Sequence, residues 1–225
     1  MTRTFAEYLF ERFCDEHEIP CARVPETTAK TPDYEIFSKT TPVVVEVKDI
    51  EPNAEEIESE RLLNERGWGN ATGGTPGGRV RAKIDAASPQ IKARAQGQLP
   101  SILVVCDEGR EIGHVEPYHI RIAMYGLEQI YLAVPPPGQG SPYATGMGYG
   151  PKRKMTPDCN TSISAVASMF MPRCDVIRLF LFHNRYARVP LDPALLAPHG
   201  VRQFNLGEAV AGRTADWEEI PSPID

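Results

Sequence analysis

Four consecutive apolar residues, Ile102-Leu103-Val104-Val105, constrain the folding of this 225-residue chain more than any other feature. A run of strand length without polar alternation reads as a strand covered on both faces. Covering both faces takes helices, and the neighbouring sequence supplies them. Val80, Ile84, Ala87, Ile91 and Ala95 fall on one helical stripe between Arg79 and about Gln96. Pro89 lies within that stripe and calls for a kink there or a later start. Near the beginning, Phe5, Leu9 and Phe13, flanked by Tyr8 and Phe10, predict a second amphipathic helix over 4–16, broken at Ile19-Pro20. Residues 33–37 and 42–49 read as two strands joined by the polar segment 38–41, an antiparallel hairpin. The pattern is mixed α/β with one sheet.

The remaining segments are read more coarsely. Residues 54–66 are acidic and helix-prone, and a glycine-rich loop runs from Gly67 to Gly78. A helix is expected over 118–127 and a strand over 130–134, followed by a long mobile Pro/Gly-rich loop over 135–151. Strands are expected at 162–169 and 176–182 and a helical turn at 193–197, with a frayed tail from Ala211. There is no internal repeat. The expected organisation is a core over 1–134 with an insertion at 51–78, a Pro/Gly-rich loop over 135–154, and a C-terminal extension over 155–225 that packs on the core.

With 24 basic and 30 acidic residues the chain carries a formal charge of −6, which argues against coating nucleic acid through bulk charge but permits a local basic groove. No window approaches a membrane span. Glu7 stands where a secretory signal needs its apolar stretch, so a cytoplasmic protein is expected. Five scattered cysteines (Cys14, Cys21, Cys106, Cys159, Cys174) without CxxC spacing indicate neither a zinc site nor a disulfide framework, and read as reduced, buried thiols.

The chemistry concentrates in Pro32-Asp33-Tyr34 and Val43-Val44-Val45-Glu46-Val47-Lys48. On a strand Val43, Val45 and Val47 face one way, into a core, while Val44, Glu46 and Lys48 face the other. The hairpin partner brings Asp33 to the same spot. Two neighbouring carboxylates repel, and a divalent cation with oxygen ligands relieves the repulsion. Lys48 beside them suits an attacking hydroxide or the charge developing on a phosphate. Among 30 acids and 7 lysines, about one acid-x-Lys triplet is expected by chance, so the surrounding pattern carries the weight. The plain competing reading is a cross-strand ion pair worth at most ~1 kcal/mol.

That layout resembles the PD-(D/E)XK nuclease superfamily, with its restriction-endonuclease-like αβββαβ core, mixed central sheet and, here, a C-terminal elaboration. The resemblance covers about residues 4–106, with Pro32-Asp33 and Glu46-Val47-Lys48 as its motifs. It implies Mg2+ (or Mn2+) held by Asp33 and Glu46, Lys48 assisting the attacking water, and hydrolysis of DNA phosphodiesters, RNA being the other polymer open to such a site. It also implies a glutamate on the first helix, for which Glu7 is the match and Glu11 the competitor, and an orienting Gln90 on the later helix. The residues 51–78 and the C-terminal part depart from the pattern.

Arg79, Arg81, Lys83 and Lys92, opposed only by Asp85 in their stretch, form a candidate phosphate-tracking rim; a solvated helix face is the equal reading. A second small cluster, Lys152-Arg153-Lys154, sits on a loop. His183, at a strand end without a nucleophile nearby, reads as structural, and Trp68 and Trp217 receive no role. The rival to catalysis is a silent nuclease-like fold serving as a nucleic-acid-binding or assembly module, with the C-terminal part as a partner or homodimer surface.

Overall fold

The computed structural model describes residues 3–25, 31–37, 41–68, 74–107, 113–171, 176–208 and 215–221. Its order begins α1 (Phe5–Glu16), β1 (Cys21–Arg23), β2 (Tyr34–Phe37), β3 (Pro42–Ile50), α2 (Ala54–Arg66), α3 (Gly78–Ala95) and β4 (Ser101–Asp107). It continues α4 (Pro117–Tyr125), β5 (Glu128–Ala133), β6 (Tyr143–Tyr149), β7 (Ala165–Phe170), β8 (Arg178–His183), two 3-10 turns (Pro193–Leu195 and Ala197–His199), β9 (Arg202–Leu206) and β10 (Trp217–Glu219). Eight strands make one mixed sheet in the order β1-β2-β3-β4-β7-β8-β9-β10, and β5-β6 form a separate two-stranded ribbon.

The apolar run of β4 sits at the middle of this sheet, parallel to β3 on one side and to β7 on the other. Every β4 residue is buried. One face is covered by α1, whose Leu9, Phe10 and Phe13 meet Val43, Val45, Val47, Ile102 and Val104. Fully burying such side chains stabilises the fold by about 1.5–3 kcal/mol each, so this packing outweighs any surface ion pair. The opposite face is covered by α3 and α4, with Ile84, Ile91, Ile120 and Met124 against Val44, Leu103 and Val105. The face shared by Val44 and Glu46 is therefore not open, as the alternation alone implied: both residues are wholly buried.

Helix α3 runs on through Pro89 to Ala95, with Pro89 itself exposed. At its start Gly77 adopts φ +67°, and a Cβ there would lie 2.7 Å from the His119 carbonyl oxygen and 2.9 Å from the Ala123 amide. Backbone meets backbone where α3 passes α4, which only glycine permits. Helix α2 buries no residue and is closed by its own caps, a reciprocal Asn53–Glu56 box and left-handed Gly67.

Two of these expectations need correction. The Pro/Gly-rich segment 135–151 is not all loop: Tyr143–Tyr149 pairs with β5, and Tyr131 lies across Gly146 and Gly148, whose missing side chains make room for its ring. The tail is not uniformly frayed, because Trp217 packs on Phe182 at 4.8 Å between ring centroids and its indole N–H donates to the Pro117 carbonyl, fixing β10 against β9. The short edge strand β1 and strand β9 carry no alternation strong enough to be read in advance. The sheet also continues without a break from β4 into β7–β10, so the C-terminal residues extend the same sheet. Among the described cysteines Cys14 and Cys106 are buried, Cys21 is half-buried and Cys159 is exposed, all unbridged; Cys174 and the connection 38–40 lie outside the described residues. No helix among them is long and apolar enough to cross a membrane.

Candidate functional site

The β2–β3 hairpin builds the site through its register. Tyr34 stands opposite Val45, so the next position back along β2, Asp33, falls beside Glu46. The β2 strand ends there. The Asp33 carboxylate replaces the missing backbone acceptor and takes the Val47 amide hydrogen on Oδ2 at 2.8 Å. The segment leading to Asp33 is held from two further directions. Its own carbonyl accepts from the Val24 amide at 2.9 Å, and Gln90 on α3 donates to the Thr31 carbonyl at 3.2 Å. Buried Pro32 lies between these two anchors.

Glu46, in mid-strand under α3, has no solvent exposure. Its Oε1 lies against the Lys48 ammonium, two residues on along the same face. Neither carboxylate oxygen accepts a hydrogen bond of normal geometry. Burying a carboxylate in this way disfavours its anion. Burial first, and then the negative charge of Asp33, push the Glu46 carboxyl up to about 7, against the pull of Lys48 and of the Asp33 amide. Asp33 is raised too, chiefly by burial; the Val47 amide, Lys48 and Arg23 oppose the shift, and the Glu7 charge adds to it.

Glu7 comes to the site from α1, on the other face of the sheet. Its carboxylate accepts the Thr4 amide hydrogen at 3.1 Å, closing the N-terminal capping box. It also meets Arg23 Nη2 at 3.3 Å from both oxygens. Asp49, just beyond Lys48, accepts the Ala6 amide at 2.9 Å and ties the start of α1 to the end of β3. The competitor Glu11 is turned elsewhere, accepting from the Tyr34 hydroxyl at 2.8 Å and pairing with Arg3. Asp33, Glu46 and Lys48 are thus brought together; Glu7 lies within electrostatic reach of Asp33 but is held by Arg23. Among the described residues, no three His, Cys, Asp or Glu side chains converge as a metal-holding set.

The expected basic rim is thinner than its sequence. Arg81 is buried and donates to the Pro76 and Ile122 carbonyls, because its position points between α3 and α4. Arg79 is paired with Glu56 and with the Glu51 carbonyl. Lys83 is half-buried and Lys92 exposed, and neither forms an ion pair with a described residue. Arg94, one turn beyond Gln90, binds Glu35 of β2 at 2.5 Å. Of the second cluster, Lys154 pairs with Asp85 at 2.6 Å. His183 is buried, bonded to the Gln203 side chain, and lowered by burial, in keeping with a structural ring.

Arg23 and Asp49 are the residues at this site that sequence reasoning passes over. Arg23 ends an edge strand that has no apolar alternation, and only the neighbouring Lys48 marks Asp49. A second ionic node was equally hidden: His114 contacts Glu56 at 2.9 Å while its amide donates to Asp107. Compared with known proteins, the chain matches no family model, no curated protein and no solved structure.

Proposed function

We propose that this protein is a divalent-cation-dependent nuclease that hydrolyses DNA phosphodiester bonds at Asp33, Glu46 and Lys48. The observation that carries the reading is Glu46: a wholly buried carboxylate with no hydrogen bond of normal geometry and Lys48 as its cation, beside a second carboxylate that raises it further. Such a pair is costly to keep charged in a protein interior unless a cation joins it. All the donors are carboxylate oxygens, which suits Mg2+ or Mn2+ over softer metals. Asp33 and Glu46 would hold the ion, with Glu7 as a third acid at hand. Bound there, the ion would lower the pKa of a coordinated water and offset charge building on the phosphate.

The protein's own side chains do the rest. Lys48 sets its ammonium against Glu46 and offers hydrogen-bond donors to the attacking oxygen or a phosphate oxygen. Gln90 fixes the backbone that presents Asp33 and is a positioning residue. The order α1-β1-β2-β3-α2-α3-β4, with an antiparallel meander followed by a parallel strand and α2 as an insertion, is in keeping with a restriction-endonuclease-like core. Lys83 and Lys92 are the rim cations left to meet a polyanion.

Plasmid nicking in Mg2+ or Mn2+ tests the reading. Asp33→Ala, Glu46→Ala and Lys48→Ala should each abolish cleavage while keeping the circular dichroism of the parent. Equal rates in all four proteins reject it. The absence of a three-acid cluster among the described residues favours a second reading, a catalytically silent nucleic-acid-binding or assembly module. Calorimetry separates the two, since a silent module shows no cation binding that depends on Asp33 and Glu46.

A further inference from the structure

The geometry points to Arg23 as a resident counter-ion of Glu7, displaced when a divalent cation binds at Asp33 and Glu46 and then free to hold a phosphate of the polynucleotide. This rests on the nuclease reading and concerns how the same site is loaded. The Glu7 side chain is 10% exposed, so its charge needs a cation, and among the described residues Arg23 is the one paired with it. Both contacts are 3.3 Å, well beyond the 2.7–2.9 Å usual for charge-assisted bonds, so the hold is loose.

The Arg23 position is suited to an exchange. Its side chain is 36% exposed, on the edge strand of the sheet, with the guanidinium over the Tyr34 ring at 5.8 Å from its centroid. Tyr34 is the register partner of Arg23 and the next residue after Asp33. The Arg23 charge also reaches Asp33, favouring its ionised form. A cation arriving between Asp33 and Glu46 adds positive charge beside Arg23 and attracts Glu7, and both effects weaken the Glu7–Arg23 pair. The released guanidinium has the planar fork that phosphate oxygens accept. This accounts for a third acid that stands beside the pair yet does not join it.

Isothermal titration of the full chain with Mn2+ alone, followed by DNA binding, tests the exchange. Arg23→Gln should bind Mn2+ about three- to tenfold more tightly than the parent, as expected when one like charge is removed from a partly exposed site. Glu7→Gln should cancel that gain in the double variant. In a cleavage-blocked Lys48→Met background with Mn2+ present, Arg23→Gln should weaken binding of a short DNA duplex at least fivefold, and Arg23→Lys should recover part of it. If the parent binds no Mn2+ through Asp33 and Glu46, the nuclease reading falls and the exchange with it. If the parent binds through those residues but Arg23→Gln leaves affinity unchanged or lowers it, the exchange alone is overturned. Unchanged duplex binding overturns the phosphate role.

Discussion

The Asp33 carboxylate accepts the Val47 amide hydrogen at 2.8 Å, on the edge of β3 just past the end of β2. A side chain here does the work of a strand's backbone. The bond keeps the carboxylate beside the sheet edge, where Glu46 approaches from the α3 face and Glu7 from the α1 face. It also makes the Glu46 carboxyl depend on Asp33, because the Asp33 charge raises it.

That dependence is measurable. Asp33→Asn removes the negative charge that is second only to burial in raising Glu46. The Glu46 carboxyl should therefore titrate below its position of about 7 in the parent, while remaining above the ordinary carboxylate range because burial persists. Carboxyl carbon NMR titration without added cation reads both values. An unmoved Glu46 would show that the two groups do not share a site.

Stability should depend on pH in a defined direction. The folded-state value of Glu46, about 7, lies above the ordinary 4.5, so the folded protein holds the proton more tightly than the unfolded chain. The resulting stabilisation is full below about pH 4.5, falls as pH rises toward 7, and is gone above it. Glu46→Gln removes this dependence. Relative to the parent, the variant should gain stability between those limits by about 3 kcal/mol, then level off. Urea unfolding of both proteins at pH 5, 6, 7 and 8.5 gives the difference curve, in which the shift of Asp33, present in both, largely cancels. A flat difference would contradict burial as the main cause of the raised Glu46 carboxyl.

Gly77 and Gly67 both have positive φ, at +67° and +74°, but only Gly77 faces backbone atoms of another helix. Alanine at Gly67 meets nothing within 4 Å and should cost about 1 kcal/mol through strain alone. Alanine at Gly77 must also push α4 from α3 and should cost roughly 2–4 kcal/mol, by strain and overpacking together. Thermal unfolding of the two variants ranks them, and equal losses would contradict the close α3–α4 approach.

Asp49→Ala removes the carboxylate that accepts the Ala6 amide at the start of α1. The loss should be about 1 kcal/mol, as for other helix N-terminal acceptors, with Asp49→Asn retaining most of it. Because Glu7 sits in the same first turn, Asp49→Ala should also weaken Mn2+ binding, whereas Arg94→Ala, which breaks the exposed pair with Glu35, should leave it unchanged. Denaturant unfolding and calorimetry on the two variants check both statements.

Much of the framework was legible because local pattern and burial agree. The stripes of α1 and α3, the all-apolar β4 and the valines of β3 announce their elements, since each must bury a continuous apolar surface. The β2–β3 hairpin then places Asp33 beside Glu46 by register alone. Strands β6 and β10 were not legible, because glycine spacing and a single tryptophan anchor them through contacts made only on folding.

For this chain the sequence by itself determined the mixed α/β class, the two helix-bearing faces and the meeting of Asp33, Glu46 and Lys48, because periodicity and strand register are local properties. Only the tertiary structure decided that α3 seals the Glu46 face, that Arg81 serves the α3–α4 contact, and that Arg23 holds Glu7. Those outcomes depend on desolvation and charge between residues far apart in the chain, which no local pattern records.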